Sequence, residues 1–469
     1  MKAGALSLHT PPTDILIYSQ SHHPSMMKPQ KRLLATLLGS VALWSVASVA
    51  SAQNDALEHR VNELFEVAER HNATIHSLQS AIAEAEAGIE SARMAKLPDV
   101  NGQVSVSYLG NARLWNRHFG ESTSAPMPHY GNNFLLQAQQ VLYAGGAIRS
   151  QINLARQNAD MQRLAAGETR QRVRMALVAL YLQLHSLHNQ QEVYVRNKQL
   201  AADQIALMGK RREQGVALRN DVTRYELQLQ QMTLGETAVA DEQSIVRHQL
   251  LTALGTDSAH VQMLAENAFD EPGDFLKDEA WWQQTAAVNH FGLKRSELAT
   301  DMSRTREQMA KAERLPKVAL MAEDHLDGPI TIEVPPINKN LNYWFVGLGV
   351  TYNFSSLFKS KRHIRQAALG TRLASDQRTV AQQQVNDEVH KAFVNYGTAR
   401  TALATCRKSV QLAQENYEVV SNRYKNGLAI VTDLTDAANM KLEAELALEN
   451  ARIQLVQCAF ALRFAAHAL

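Results

Sequence analysis

The chain has 469 residues, with 48 Lys+Arg against 46 Asp+Glu, a formal net charge of +2 and a mean hydropathy of -0.28. At 45% hydrophobic and 20% charged it can bury a core and is not disordered; the near-neutral balance gives no support for nucleic acid as a partner. Only one stretch approaches the ~18 apolar residues of a membrane helix, which excludes a polytopic helical protein but not a β-barrel, whose alternating strands hardly raise hydropathy.

That stretch lies near the N-terminus. Met27-Lys28-Pro29-Gln30-Lys31-Arg32 is a basic region, Leu33 to Val49 is apolar, and Ala50-Ser51-Ala52 is a small-residue cleavage site. Residues 27–52 therefore read as a secretory signal peptide, and residues 1–26 as an upstream extension rather than a domain. Cleavage leaves Gln53, not Cys, at the mature N-terminus, which disfavours a lipoprotein anchor.

The mature chain then alternates between helix and strand. Val104, Val106 and Tyr108 oppose Gln103, Ser105 and Ser107, the period of a strand. A turn-rich loop over Asn111–Asn133 follows, then a less regular strand over Phe134–Val141. Gly145-Gly146 lacks the Lys-Ser/Thr of a phosphate loop and reads as a strand-to-helix turn. From there to about residue 214 no proline interrupts, and Leu177, Leu180, Leu184 and Leu187 form a coiled-coil-like seam. The register continues through Tyr194, Ala201, Ile205 and Met208. Such a helix approaches ~100 Å. Residues 256–275 break the helical pattern as an irregular linker.

The sequence then repeats itself. Leu97-Pro98 returns as Leu315-Pro316, Leu142-Tyr143 as Leu357-Phe358, and Gly215 to Val222 as Gly427 to Leu434, at offsets of 218, 215 and 212. Ordered matches at near-constant spacing mark a tandem duplication, 53–255 and 276–469. In the second copy Val318–Glu323 is a strand, Asp327–Asn342 a loop, and Trp344, Val346, Leu348, Val350 and Tyr352 form one face of another strand. No proline interrupts 360–426, and Leu448, Ala451, Leu455, Ala459 and Leu462 repeat the seam near the C-terminus. Four strands cannot close a barrel with an interior, since transmembrane barrels start at about eight. If these strands form a barrel, several chains contribute.

No catalytic, metal or cofactor motif emerges: there is no H-E-x-x-H, C-x-x-C, G-x-S-x-G or P-loop. The only cysteines are Cys406 and Cys458. If Gly427 is the bend of a helix pair, their distances from it differ by ten residues, or ~15 Å. That is too far for a disulfide, so two free thiols are expected. The glycine turns carry more. Gly215 and Gly427 relax φ at helix ends, and Asp221 and Asp433 stand near the next helix start. Asp433 and Asp436 share a helix face; in a symmetric oligomer they would stack as carboxylate rings that attract cations. The pair alone does not decide between a pore role and a solvated helix start.

These residues together resemble the outer-membrane efflux proteins, the TolC family, over essentially the whole mature chain. The resemblance rests on the duplicated layout, Leu97-Pro98, Leu142-Tyr143-Ala144-Gly145-Gly146, and Arg423-Tyr424-x-x-Gly427 followed by Asp433 and Asp436. It implies a mostly α fold with a membrane β-barrel portion: a homotrimer whose twelve-stranded barrel in outer-membrane lipid continues into an α-helical periplasmic tunnel. It also implies a non-enzymatic exit duct in the Gram-negative outer membrane, docked onto a periplasmic adaptor (membrane fusion) protein and an inner-membrane pump or secretion ATPase. Asp433 and Asp436 match the constricting rings, and Tyr424 and Asp221 match the closed-state network. Gly215, Val216, Ala217, Gly427, Leu428 and Ala429 match the adaptor-contacting tips. At Ala429 the sequence departs from TolC, which has an arginine there. The rival reading is a non-conducting trimeric periplasmic scaffold or adaptor; an extracytoplasmic hydrolase is a remote third. Drug efflux, metal efflux and type I secretion are not separated.

Overall fold

The computed structural model describes residues 57–257, 277–333 and 335–469. The expected upstream extension, the signal peptide and all but the first two residues of the linker lie outside them.

Helix α1 (57–71) leads into α2 (Ala73–Met94). Between them Asn72 accepts the Ile75 N–H and donates to the Ala253 carbonyl, tying this start to a distant helix end. After α2 come β1 (Asp99–Tyr108), β2 (Ala112–Trp115), β3 (Ser122–Ala125) and β4 (Tyr130–Tyr143), then the long helix α3 (Ala147–Glu213) and α4 (Arg219–Leu254). The second half contains α5 (Glu279–Asn289), α6 (Phe291–Ala312), β5 (Lys317–Gly328), β6 (Leu341–Thr351), α7 (Ser356–Lys425) and α8 (Val431–Ala465). The duplication is legible in the lengths. Helices α2 and α6 have 22 residues each, α3 and α7 have 67 and 70, and α4 and α8 have 36 and 35.

The four long strands form one antiparallel sheet in the order β1-β4-β5-β6. Val100, Ala138, Ala322 and Val346 lie in one row, and Asn101, Gln137, Glu323 and Phe345 in the next. Opposite residues share a face and successive rows alternate, so one face is mainly apolar and the other mainly polar. The apolar face is uncovered: Trp344 is 72% and Val106 75% exposed. On the polar face Gln137 donates to Glu323 at 2.9 Å, and His325 stacks on Tyr343 with ring centroids 4.6 Å apart. These partners explain why β5 runs on to Gly328, past the Glu323 at which its sequence alternation fades. The expected loop over Asn111–Asn133 differs in a second way. Ala112–Trp115 and Ser122–Ala125 pair as a small hairpin, and β4 begins at Tyr130.

The helices are glued along the seams. Leu177, Leu184 and Leu187 of α3 are buried with Leu57 and Phe65 of α1, Leu250 of α4 and Phe460 of α8. Cys458 packs with Tyr396, which precedes Gly427 by 31 residues as Cys458 follows it by 31. Cys406 sits elsewhere along α7, and both thiols are free. Among the described residues no helix is long and apolar enough to cross a membrane.

Candidate functional site

The two glycine turns form the end of the molecule farthest along the chain from the sheet, and they are built alike. Helix α3 is capped by Gln214, Gly215 takes φ +71°, and the Val216 N–H returns to the Arg211 carbonyl at 2.9 Å. Helix α7 is capped by Asn426, Gly427 takes φ +73°, and the Leu428 N–H returns to the Arg423 carbonyl at 2.8 Å. Both are left-handed C-terminal caps, the conformation in which glycine lacks the strain of a Cβ. The next helices start alike too. Asp221 accepts the Leu218 N–H at 3.1 Å, and Asp433 accepts the Ile430 N–H at 3.3 Å. A carboxylate there also meets the positive end of the helix dipole.

The apolar residues of each turn point outward. Val216 is 74% exposed and Leu428 68%, while Ala217 and Ala429 are half-buried. Asp433 and Asp436 are both exposed on one face of α8. Tyr424 is buried with Met208, Val222, Tyr225 and Leu434, in a core shared by all four long helices of the tip. Asp221 lies close enough for its charge to act on the Tyr424 phenol. Burial raises that pKa, Asp221 raises it further, and Arg211 opposes both.

Arg211 was not singled out by the sequence patterns, yet it joins the two hairpins. Its guanidinium donates to the Tyr424 carbonyl at 3.1 Å and to the Lys425 carbonyl, and it lies 5.4 Å from the Tyr424 ring centroid. Further contacts run up the same seam: Arg224 to Thr432, Gln228 to Asn439, and Asn197 to Glu445 at 2.7 Å. The deepest, Asn189 to Glu449 at 2.9 Å, is buried. Each couples the first hairpin to the second, α3–α4 to α7–α8. Buried polar contacts fix register, because breaking one leaves an unsatisfied group. The signal in the sequence was only Arg211's place four residues before Gly215. Among the described residues no group of His, Cys, Asp and Glu is placed to hold a metal.

The sequence profile of the family described as outer membrane efflux protein matches residues 64–256 and 282–466, one segment per repeat. Among solved structures, the outer-membrane channel OprN is similar with a TM-score of 0.70 at 17% identity, covering 88% of this chain and 91% of that one. The outer membrane protein VceC from Vibrio cholerae gives 0.69 at 14% identity, with coverage of 87% and 96%. CusC gives 0.74 at 13% identity, with coverage of 87% and 92%. At such identities the structures speak to fold, and the profile speaks to family. No curated protein sequence matches the chain significantly.

Proposed function

The chain belongs to the outer membrane efflux protein family, a family of passive conduits rather than enzymes, and from that premise we propose that three copies form an exit duct gated at its helical tip. The observation that carries this reading is a sheet with an uncovered apolar face whose strands continue into helices of 67 and 70 residues. Neither edge of the sheet, β1 or β6, has a ladder partner among the described residues. Unpaired edges and a bare apolar face are costly in isolation. Pairing β6 of one copy with β1 of the next removes the edges and makes a twelve-stranded barrel, and outer-membrane lipid covers the apolar face. The helices, about 100 Å long, then line a tunnel through the periplasm.

At its far end Asp433 and Asp436 of the three copies face one another, narrowing the lumen and drawing cations to it. Tyr424, Asp221 and Arg211 hold the hairpins closed. Arg211 does for this chain what an arginine in place of Ala429 would do. The turns Gly215-Val216-Ala217 and Gly427-Leu428-Ala429 present two apolar knobs per chain to a periplasmic adaptor, which with an inner-membrane pump or secretion ATPase spreads the α7–α8 hairpins. Substrate then passes without chemistry.

Electron microscopy of the purified protein in lipid nanodiscs tests this. A three-fold particle with a barrel inside the disc and a tunnel of about 100 Å beneath it is expected. A trimer that stays outside the disc would overturn the duct in favour of a periplasmic scaffold.

A further inference from the structure

A cavity of about 720 Å³ lies where strands give way to helices, and the proposed gating gives it no role. Lys96, three residues before β1, lines one side, and the Gly145-Gly146 turn after β4 lines another. Arg149, Ser150, Ile152, Asn153 and Arg156 of α3 and Gln308 of α6 complete it. Its lining holds three cations and no carboxylate.

Four nearby cations have carboxylate partners, whereas Arg306 of α6 has none among the described residues. Arg93 pairs with Glu90, Arg163 with Glu86 and Asp160, Arg304 with Asp301, and Lys311 with Glu307. The side chains of Lys96, Arg149 and Arg156 have no ion pair or hydrogen bond among the described residues. Three like charges around one cavity repel one another unless an anion joins them. The site adds donors for that anion, the Ser150 hydroxyl and the Gln308 amide. Helix α3 also begins there, after its N-cap Gly146, with no side chain capping its first N–H groups.

Depth identifies the anion. Leu97, Leu142, Tyr143, Leu315, Phe354 and Phe358 are all exposed within a few residues of the strand ends. An aromatic and apolar band of this kind marks the boundary between hydrocarbon and headgroups. The cations lie just on the helical, periplasmic side of it. We infer that this cavity binds the phosphate of a phospholipid from the periplasmic leaflet of the outer membrane, one lipid per chain, fixing the height of the duct in the bilayer. The inference rests on the outer-membrane reading. Two guanidiniums and an ammonium suit a phosphodiester, since guanidinium forks match phosphate oxygens and each cation near an anionic surface adds attraction.

Native mass spectrometry of the full-length trimer, titrated with phosphatidylglycerol, tests it. The triple variant Lys96→Gln/Arg149→Gln/Arg156→Gln should bind the lipid about tenfold or more weakly than wild type. Arg149→Lys/Arg156→Lys, which keeps the charge but loses the guanidinium forks, should bind between wild type and the Gln variant, and excess inorganic phosphate should not displace the lipid. Equal lipid retention by wild type and the Gln variant, both trimeric, would overturn the site. Displacement by inorganic phosphate, or a shift of the Gln variant's conductance toward cation selectivity, would assign the cations to a free anion in the lumen and overturn the lipid. A wild-type protein that fails to trimerise or insert would strike the duct reading instead.

Discussion

His185 shows how burial sets chemistry at a single position. It is fully buried on α3, edge-on to Tyr181 with ring centroids 4.7 Å apart. Burial, helped by the nearby His188, lowers its pKa from 6.5 to about 4. The unfolded chain takes up this proton below pH 6.5, whereas the folded one resists until about pH 4. Its contribution to stability is therefore complete above pH 6.5 and drains away as the pH falls toward 4. The apparent Tm should fall across that window, and His185→Gln should flatten part of the fall; superimposable profiles would contradict it. His467, also lowered to about 4 by burial and by His290, leaves a residual slope. Gly255 makes a steric case. It closes α4 at φ +74°, and a Cβ there would stand 2.2 Å from the His71 carbonyl oxygen. Gly255→Ala should cost about 1–3 kcal/mol through strain and overpacking, read as a lower Tm; an unchanged Tm would contradict that packing. Neither residue was legible in the sequence, because each is defined by what folds against it from another element.

Among the elements, the paired hairpins of the tip were the most legible. Glycine at a helix end followed by an acid at the next helix start is local chemistry, and both copies fold as that spacing demands. The tie between the hairpins was not legible, since Arg211 meets Tyr424 across 213 residues of chain. Arg211→Ala removes both carbonyl contacts and the cation over the Tyr424 ring, so it should raise the open fraction of single channels in a bilayer. Arg211→Lys should restore closure only in part, because one ammonium cannot reproduce the planar fork. Gating traces equal to wild type from Arg211→Ala would remove this residue from the gate. The exposed knobs make a separate prediction. Val216→Glu/Leu428→Glu should leave the trimer intact, because both side chains are exposed. It should nonetheless abolish the export that the wild-type gene restores to a strain lacking it. Full export would show that the adaptor docks elsewhere.

At the scale of the whole molecule, the duplication carried most of the fold into view. Proline-free runs set the long helices, and alternation at Val104–Tyr108 and Trp344–Tyr352 set the outer strands. Where side chains of the sheet face polar partners instead of lipid, the signal weakened. The sequence alternation of β5 fades at Glu323, five residues before the strand ends at Gly328, and glycines and prolines around the β2–β3 hairpin hide it within a turn-rich loop. What no single chain can display is the assembly, and the duct requires three open-edged sheets to close into one wall. Planar-bilayer conductance of the purified protein, beside Asp433→Ala/Asp436→Ala, tests that account most directly. Discrete, cation-selective steps whose selectivity weakens in the variant are the predicted result; silence from a verified, inserted trimer, from wild type and from Arg211→Ala alike, would contradict it.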